Sequence, residues 1–208
     1  MDNIIDTITR RIRAKKRGWV FAPKDFMDIG TRAAVDQVLC RLTKRGMIRR
    51  LDRGVYDFPV QHKLLGIISP GADDLAKVIT AKTGDISYPS GAMAANMLGF
   101  STQVPAKPVY LTNGHSRTKN ISGRKIIIKH ARVPILSGVP DAVNFTLQAL
   151  YYLGKDNIDS QILNRCSKIL SDGDMVALNV ATSKVPGWVA DIIHKIQNIK
   201  YGKISGTA

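Results

Sequence analysis

The sequence predicts an α+β fold made of two domains. Its 208 residues are 44% apolar, which is enough for one large or two small domains with an apolar core. Helical apolar spacing dominates both ends of the chain, whereas β-prone runs and turn residues occupy residues 108–133. We place the domains at residues 1–58 and 63–208, joined by a linker at residues 58–62 that lacks a strong period.

The N-terminal domain is predicted to open with a helix and a short extended segment. Apolar residues recur at helical spacing at Ile4, Ile5, Ile8 and Ile12, and Gly18 ends this first helix. Residues 19–21 are β-prone, and Pro23 suits the first turn of a second, short helix that continues to Ile29. A turn at residues 30–31 supplies the capping residue of the next helix.

A third helix and a hairpin complete this domain. The helix begins at Arg32 and ends near Gly46, and its apolar stripe consists of Val35, Val38, Leu39 and Leu42. Residues 47–51 and 55–58 are strand-like and are joined by an Asp-Arg-Gly turn. Helix, helix, turn, helix and hairpin is the order of a winged helix-turn-helix.

The second domain is predicted to be mixed α/β with a helical C-terminal part. Helix-like patterns cover residues 63–68, 72–83 and 92–98, and strand-like runs cover residues 108–112, 118–121 and 125–133. The run that begins Pro-Ser-Gly, residues 89–105, most simply provides a helix cap and close packing through small residues. Helical patterns resume at residues 141–153, 160–170, 174–181 and 188–199.

The charge of the chain indicates a polyanionic partner. Lys and Arg number 31 against 16 acids, and every acid is Asp, so the formal net charge is +15. A surplus of this size on a small protein favours nucleic acid over a membrane surface. The absence of Glu excludes an HExxH zinc protease and an EF-hand loop. Since no apolar stretch approaches 18 residues, we expect a cytoplasmic protein without a membrane partner.

Three cationic regions are candidate contact surfaces. The polar face of the third helix and the hairpin arginines suit the bases and phosphates of DNA, although any amphipathic surface helix also exposes charges. The end of the first helix holds six cations between Arg10 and Arg17, which would bind an anion or form a solvated helix end. From this run we select Arg13, Lys15, Lys16 and Arg17.

The third region is a second basic surface within residues 86–140, which contain no acid. Its cations are Lys107, Arg117, Lys119, Arg124, Lys125, Lys129 and Arg132. They could contact phosphates of DNA, or they could meet an acidic face on a protein partner or an RNA. The sign of the charge alone leaves both uses open.

Catalytic and metal-binding patterns are weak, so we expect no enzyme activity, no metal and no cofactor. The four histidines are isolated, and both cysteines, Cys40 and Cys166, are expected to be buried thiols. Two aspartate pairs, at residues 73–74 and at residues 172 and 174, could hold a divalent metal as nuclease carboxylates do. Both pairs lie at predicted helix starts, where Asp is common anyway. Metal-dependent cleavage of DNA or RNA would reveal the enzyme alternative.

Two runs of sequence resemble the AbiEi-type antitoxins. Residues 44–56 read KRGMIRRLDRGVY and resemble the end of the winged-helix domain of that family. Residues 89–105 read PSGAMAANMLGFSTQVP, residues 108–114 read PVYLTNG, and both resemble the core of the second domain in one branch of it. The resemblance covers about residues 8–133, and the helical tail after Pro134 is interpreted from its pattern alone.

The resemblance implies a bacterial antitoxin of the type IV toxin-antitoxin class that represses its own operon and counters an AbiEii-type nucleotidyltransferase toxin. By position it implies DNA contacts at Thr31, Arg32, Gln37, Arg41 and Lys44 of the recognition helix and at Arg50 and Arg53 of the wing. The alternative is a stand-alone winged-helix regulator or RNA-binding module without a toxin partner. A neighbouring toxin gene would distinguish the two.

Overall fold

The computed structural model describes residues 3–202 and has the predicted α+β fold. Its helices are α1 Ile4–Ala14, α2 Arg32–Lys44, α3 Ala72–Ala81, α4 Gly91–Met97, α5 Asp141–Leu153, α6 Ser160–Ile169, α7 Asp172–Ala181 and α8 Gly187–Lys200. Its strands are β1 Val20–Phe21, β2 Arg49–Asp52, β3 Val55–Asp57, β4 Val60–His62, β5 Gly66–Ile68, β6 Ser87–Pro89, β7 Val109–Thr112, β8 Arg117–Ile121 and β9 Arg124–His130. Short 3₁₀ helices cover Pro23–Phe26, Lys155–Asn157 and Thr182–Lys184.

The N-terminal part folds as a winged helix-turn-helix. Strands β1, β3 and β2 form an antiparallel sheet in that order, and β2 and β3 are the two strands of the wing. The apolar sides of α1 and α2 share one core with this sheet, in which Ile8, Phe21 and Leu39 are fully buried. Burying each such side chain contributes roughly 1.5–3 kcal/mol, so the helical spacing of the apolar residues determines this packing.

Two local predictions in this region are wrong. The predicted linker and the helix-like residues after it form the β4–β5 hairpin, whose turn is held by Nδ1 of His62, which accepts from the backbone N–H groups of Leu64 and Leu65. A short apolar run fits a helix and a strand equally well, and here strand pairing prevails. The predicted second helix is a 3₁₀ helix that ends at Phe26, because the bonds Met27 N to Lys24 O and Ile29 N to Phe26 O span three residues.

The chain divides into two compact units whose limits differ from the predicted domains. The first unit extends from the N-terminal end of the described residues to Asp85 and also includes Arg117–Ile127. It therefore contains α3, β8 and the first part of β9 in addition to the winged helix. The second unit contains Ile86–Ser116 and the described residues from Ile128 onward. Strand β6 pairs with β7 in the second unit, and β8 pairs with β9.

The second unit is built on helix packing. Side chains of α5, α6, α7 and α8 share a core that includes Leu147, Cys166, Leu178 and Ile193. Helix α4 packs on α5 through Ala94, Ala95 and Ala149, as the small residues of the Pro-Ser-Gly run predict. The predicted cap is only positional, since Ser90 precedes α4 but its side chain makes no capping hydrogen bond. Within residues 3–202 no helix is long and apolar enough to cross a membrane.

Candidate nucleic-acid interface

Helix α2, the predicted recognition helix, is fixed by its cap and by its buried side. The hydroxyl of Thr31 accepts a hydrogen bond from the N–H of Ala34 at 3.4 Å and so begins the helix. Val35, Val38, Leu39 and Leu42 are buried, as the apolar stripe predicts. The opposite face therefore points to solvent, and it exposes the predicted contacts Arg32, Gln37, Arg41 and Lys44. The O–H of Thr31 can still donate to a phosphate while its oxygen caps the helix.

Arg32 is oriented by an acid one turn further along the helix. Its Nε lies 2.9 Å from Oδ2 of Asp36, in an i, i+4 pair. Within the described part of the chain this pair uses Nε alone, so both Nη groups remain available to a guanine edge. An exposed pair of this kind contributes little to stability. In this structure the pair places the guanidinium of Arg32 beside Asp36.

The wing contains two exposed arginines and one structural arginine. Arg50 and Arg53 are exposed, and Gly54 adopts a φ of +67° in the turn, a conformation that favours glycine. Arg49 instead forms two hydrogen bonds, of 3.0 and 2.5 Å, with the carboxylate of Asp57, whose side chain is 1% exposed. Arg49 also donates to the carbonyl of Ile68. The predicted contacts Arg50 and Arg53 are therefore the ones that the fold leaves accessible.

Tyr56 connects the recognition helix to the wing. It is buried beneath the hairpin, as predicted, in the core that contains Val38 and Leu39 of α2. Burial raises the pKa of its phenol, and the nearby charges of Arg50 and of the α2 residues Asp36 and Arg32 contribute smaller effects. Charged groups of the wing and of α2 thus lie close to one side chain. The two elements therefore share one core side chain.

The basic end of helix 1 is only partly available for binding. Arg13, Lys15 and Lys16 are exposed at and beyond the end of α1. Arg17 donates to the carbonyl of Pro59 at 2.9 Å and stacks over the ring of Phe58 at 4.8 Å, so it also has a structural role. Arg11, which was not a predicted contact, binds the carboxylate of Asp28 at 2.7 and 2.6 Å.

The structure divides the predicted second basic surface between the two units. Arg117, Lys119, Arg124 and Lys125 lie in the same unit as the winged helix, whereas Lys107, Lys129 and Arg132 lie in the other. Lys119 places its Nζ 3.2 Å from Oδ2 of Asp52 at the end of β2. Lys119 of the β8–β9 hairpin is therefore a neighbour of the wing, which sequence separation does not suggest.

One cation of the wing region was missed at the sequence level. Lys82 follows α3 and donates to the carbonyl of Arg53, with Nζ and O 2.5 Å apart. Nothing in its local sequence distinguishes it from any lysine that follows a helix. Burial lowers the pKa of Lys82, and the neighbouring cations Lys119, Arg117 and Arg32 lower it further. The carboxylate of Asp52 raises the pKa of Lys82.

The residues considered for catalysis have local structural roles. Asp73 and Asp74 lie in the first turn of α3, and Asp174 completes a capping box with Ser171 at the start of α7. Within residues 3–202 no group of three or more His, Cys or Asp side chains could hold a metal ion. Nδ1 of His130 lies 2.8 Å from the carbonyl of Gly114.

The prediction for the cysteines is half right. Cys166 is buried in the core of the second unit, which raises its pKa to about 12. Cys40 is exposed, contrary to the prediction. Its position explains the difference, because residue 40 falls beside Gln37 and Arg41 on the polar side of α2 and away from the apolar stripe.

The fold and this surface define a winged-helix protein in which α2 and the wing expose cationic side chains. The particular family follows from comparison. A model of the family of unknown function DUF6088 matches residues 7–178, so the chain belongs to that family. A comparison with curated proteins finds no match.

Proposed function

We propose that the protein binds duplex DNA through its winged helix and represses transcription of its own operon. The observation that supports this proposal is that the polar side of α2 is accessible. The exposed arginines of the wing belong to the same unit as α2. Arg32 and Gln37 have the side chains that read guanine and adenine edges, whereas Arg50, Arg53 and Lys44 suit phosphates. The role is one of binding rather than catalysis, in a cytoplasmic protein.

Salt dependence tests this proposal. Because each phosphate contact releases a counterion, six contacts would give a slope of about −5 for log affinity against log salt concentration. The measurement is fluorescence anisotropy of a labelled duplex from upstream of the gene, titrated with the full chain at several salt concentrations. A slope near zero, or no binding, would contradict DNA binding.

We further propose that the protein is an antitoxin against a nucleotidyltransferase toxin encoded next to it. The support for this part is the resemblance of residues 44–56, 89–105 and 108–114 to AbiEi-type antitoxins. Co-expression of the full chain should restore growth while that toxin is induced, and a Gln37→Ala variant should restore it equally because residue 37 is assigned to DNA. If no toxin gene adjoins the gene, or if growth is not restored, the stand-alone regulator is the better assignment.

A further inference from the structure

A second cationic hairpin lies beside the wing. Strand β8 and the first part of β9 belong to the winged-helix unit, although more than fifty residues separate them from the wing in sequence. The contact between Lys119 and Asp52 joins the middle of β8 to the end of β2. The side chain of Lys119 is 47% exposed, so it can contact a ligand while it remains near Asp52.

The segment that follows α3, residues 82–85, anchors both hairpins. After its last turn, Lys82 holds the carbonyl of Arg53 at the tip of the wing, and a side chain at residue 54 would begin 3.5 Å from its ammonium. Arg117 at the start of β8 donates to the carboxylate of Asp85 at 3.0 Å and to the hydroxyl of Thr83 at 3.1 Å. The base of the β8–β9 hairpin and the tip of the wing are therefore attached to the same short segment.

Positive charge exceeds negative charge at this place. Lys82 and Lys119 both lie near Asp52. Burial raises the pKa of Asp52, but the backbone N–H of Arg53 and the two ammonium groups lower it overall. Burial is the main cause of the lowered pKa of Lys82, and repulsion by the neighbouring cations lowers it further. A polyanion bound here would relieve that repulsion.

The tip of the hairpin carries two more cations. Ser122 and Gly123 have φ angles of +52° and +76°, which is the conformation of a tight two-residue hairpin turn. Arg124 and Lys125 follow directly and are exposed, whereas Ile126 and Ile128 of β9 are buried. The buried side of β9 therefore anchors the strand that carries these two cations.

We propose that the β8–β9 hairpin is a second wing, in which Lys119, Arg124 and Lys125 bind phosphates of the same duplex that the first wing contacts. The inference rests on the proposed DNA binding and extends the interface beyond residues 1–58. The proposed contacts of the hairpin are long cationic side chains, with no exposed apolar cluster among them. Such a surface suits hydrated phosphates better than it suits a protein partner, whose interface has an apolar centre.

The test compares salt slopes for a labelled mixed-sequence duplex of 30 base pairs and the full chain. The triple variant Lys119→Gln, Arg124→Gln, Lys125→Gln removes the proposed contacts. Since each contact contributes about 0.9 to the slope, we expect its magnitude to decrease by about 2 to 3. The matched control Lys155→Gln, Lys195→Gln removes two exposed lysines of the other unit and should leave the slope unchanged. The exchange Arg124→Lys, Lys125→Arg keeps both charges and should also keep the slope.

The outcomes separate this inference from the proposed function. If the unaltered protein binds the duplex and the triple variant, folded by circular dichroism, has the same slope, the second wing is wrong and DNA binding stands. If the unaltered protein binds no duplex DNA, both proposals fail. A variant that binds DNA normally but loses binding to an RNA duplex of the same sequence would assign the hairpin to RNA and overturn the inference.

Discussion

Replacing Gly91 with alanine should lower the free energy of unfolding by about 2 kcal/mol, even though alanine is the better helix former. Gly91 begins α4, where a Cβ atom would lie 2.5 Å from the carbonyl oxygen of Gln148 and 2.5 Å from Cβ of Tyr152. Both neighbours belong to α5, and neither is the flexible end of a side chain. The substitution must therefore separate α4 from α5 and weaken their alanine contacts.

Gly187 provides the matched control for this experiment. It is also the first residue of a helix in the second unit, but a Cβ there would meet nothing within 4 Å. Gly187→Ala should leave stability unchanged or raise it slightly, because alanine restricts the unfolded chain. Urea unfolding followed by circular dichroism measures both variants. Equal midpoints for the two would show that the α4–α5 contact tolerates a side chain.

Replacing Arg32 or Gln37 with alanine should weaken binding to the duplex from upstream of the gene by about 1 to 3 kcal/mol, and should barely change binding to mixed-sequence DNA. Both side chains are exposed on α2, and Asp36 already orients Arg32. A base contact discriminates between sequences, whereas a phosphate contact does not. A loss confined to the upstream duplex is therefore the mark of a base-reading side chain.

Arg53→Ala and Lys195→Ala are the controls for that experiment. Arg53 is exposed at the wing tip, and its replacement should weaken binding to both duplexes equally, as expected for the loss of a phosphate contact. Lys195 is exposed on α8 in the other unit and should change neither. The measurement is a pair of anisotropy titrations for each variant. Equal losses on both duplexes for Arg32 would reassign it from a base to a phosphate.

Most helices and strands could be predicted from the local sequence pattern, because each depends on residues that are neighbours in sequence. The apolar stripe of α2, the Asp-Arg-Gly turn of the wing and the strands at residues 109–112 and 124–130 are all close to the predictions. Where a short segment suits two structures, local pattern failed. Residues 60–68 carry an apolar run without a clear period and form a hairpin, while the segment after Pro23 forms only a 3₁₀ helix.

The sequence by itself determined the α+β class, the winged helix and the cationic polar side of its recognition helix, because periodicity and charge are properties of neighbouring residues. Only the tertiary structure decided which cations lie together. It joined Lys82 and Lys119 to the wing and left Arg49 paired with Asp57. It also put β8 and the first part of β9 into the first unit. These contacts span up to about seventy residues, and they depend on the complementarity of distant surfaces, which no local period encodes.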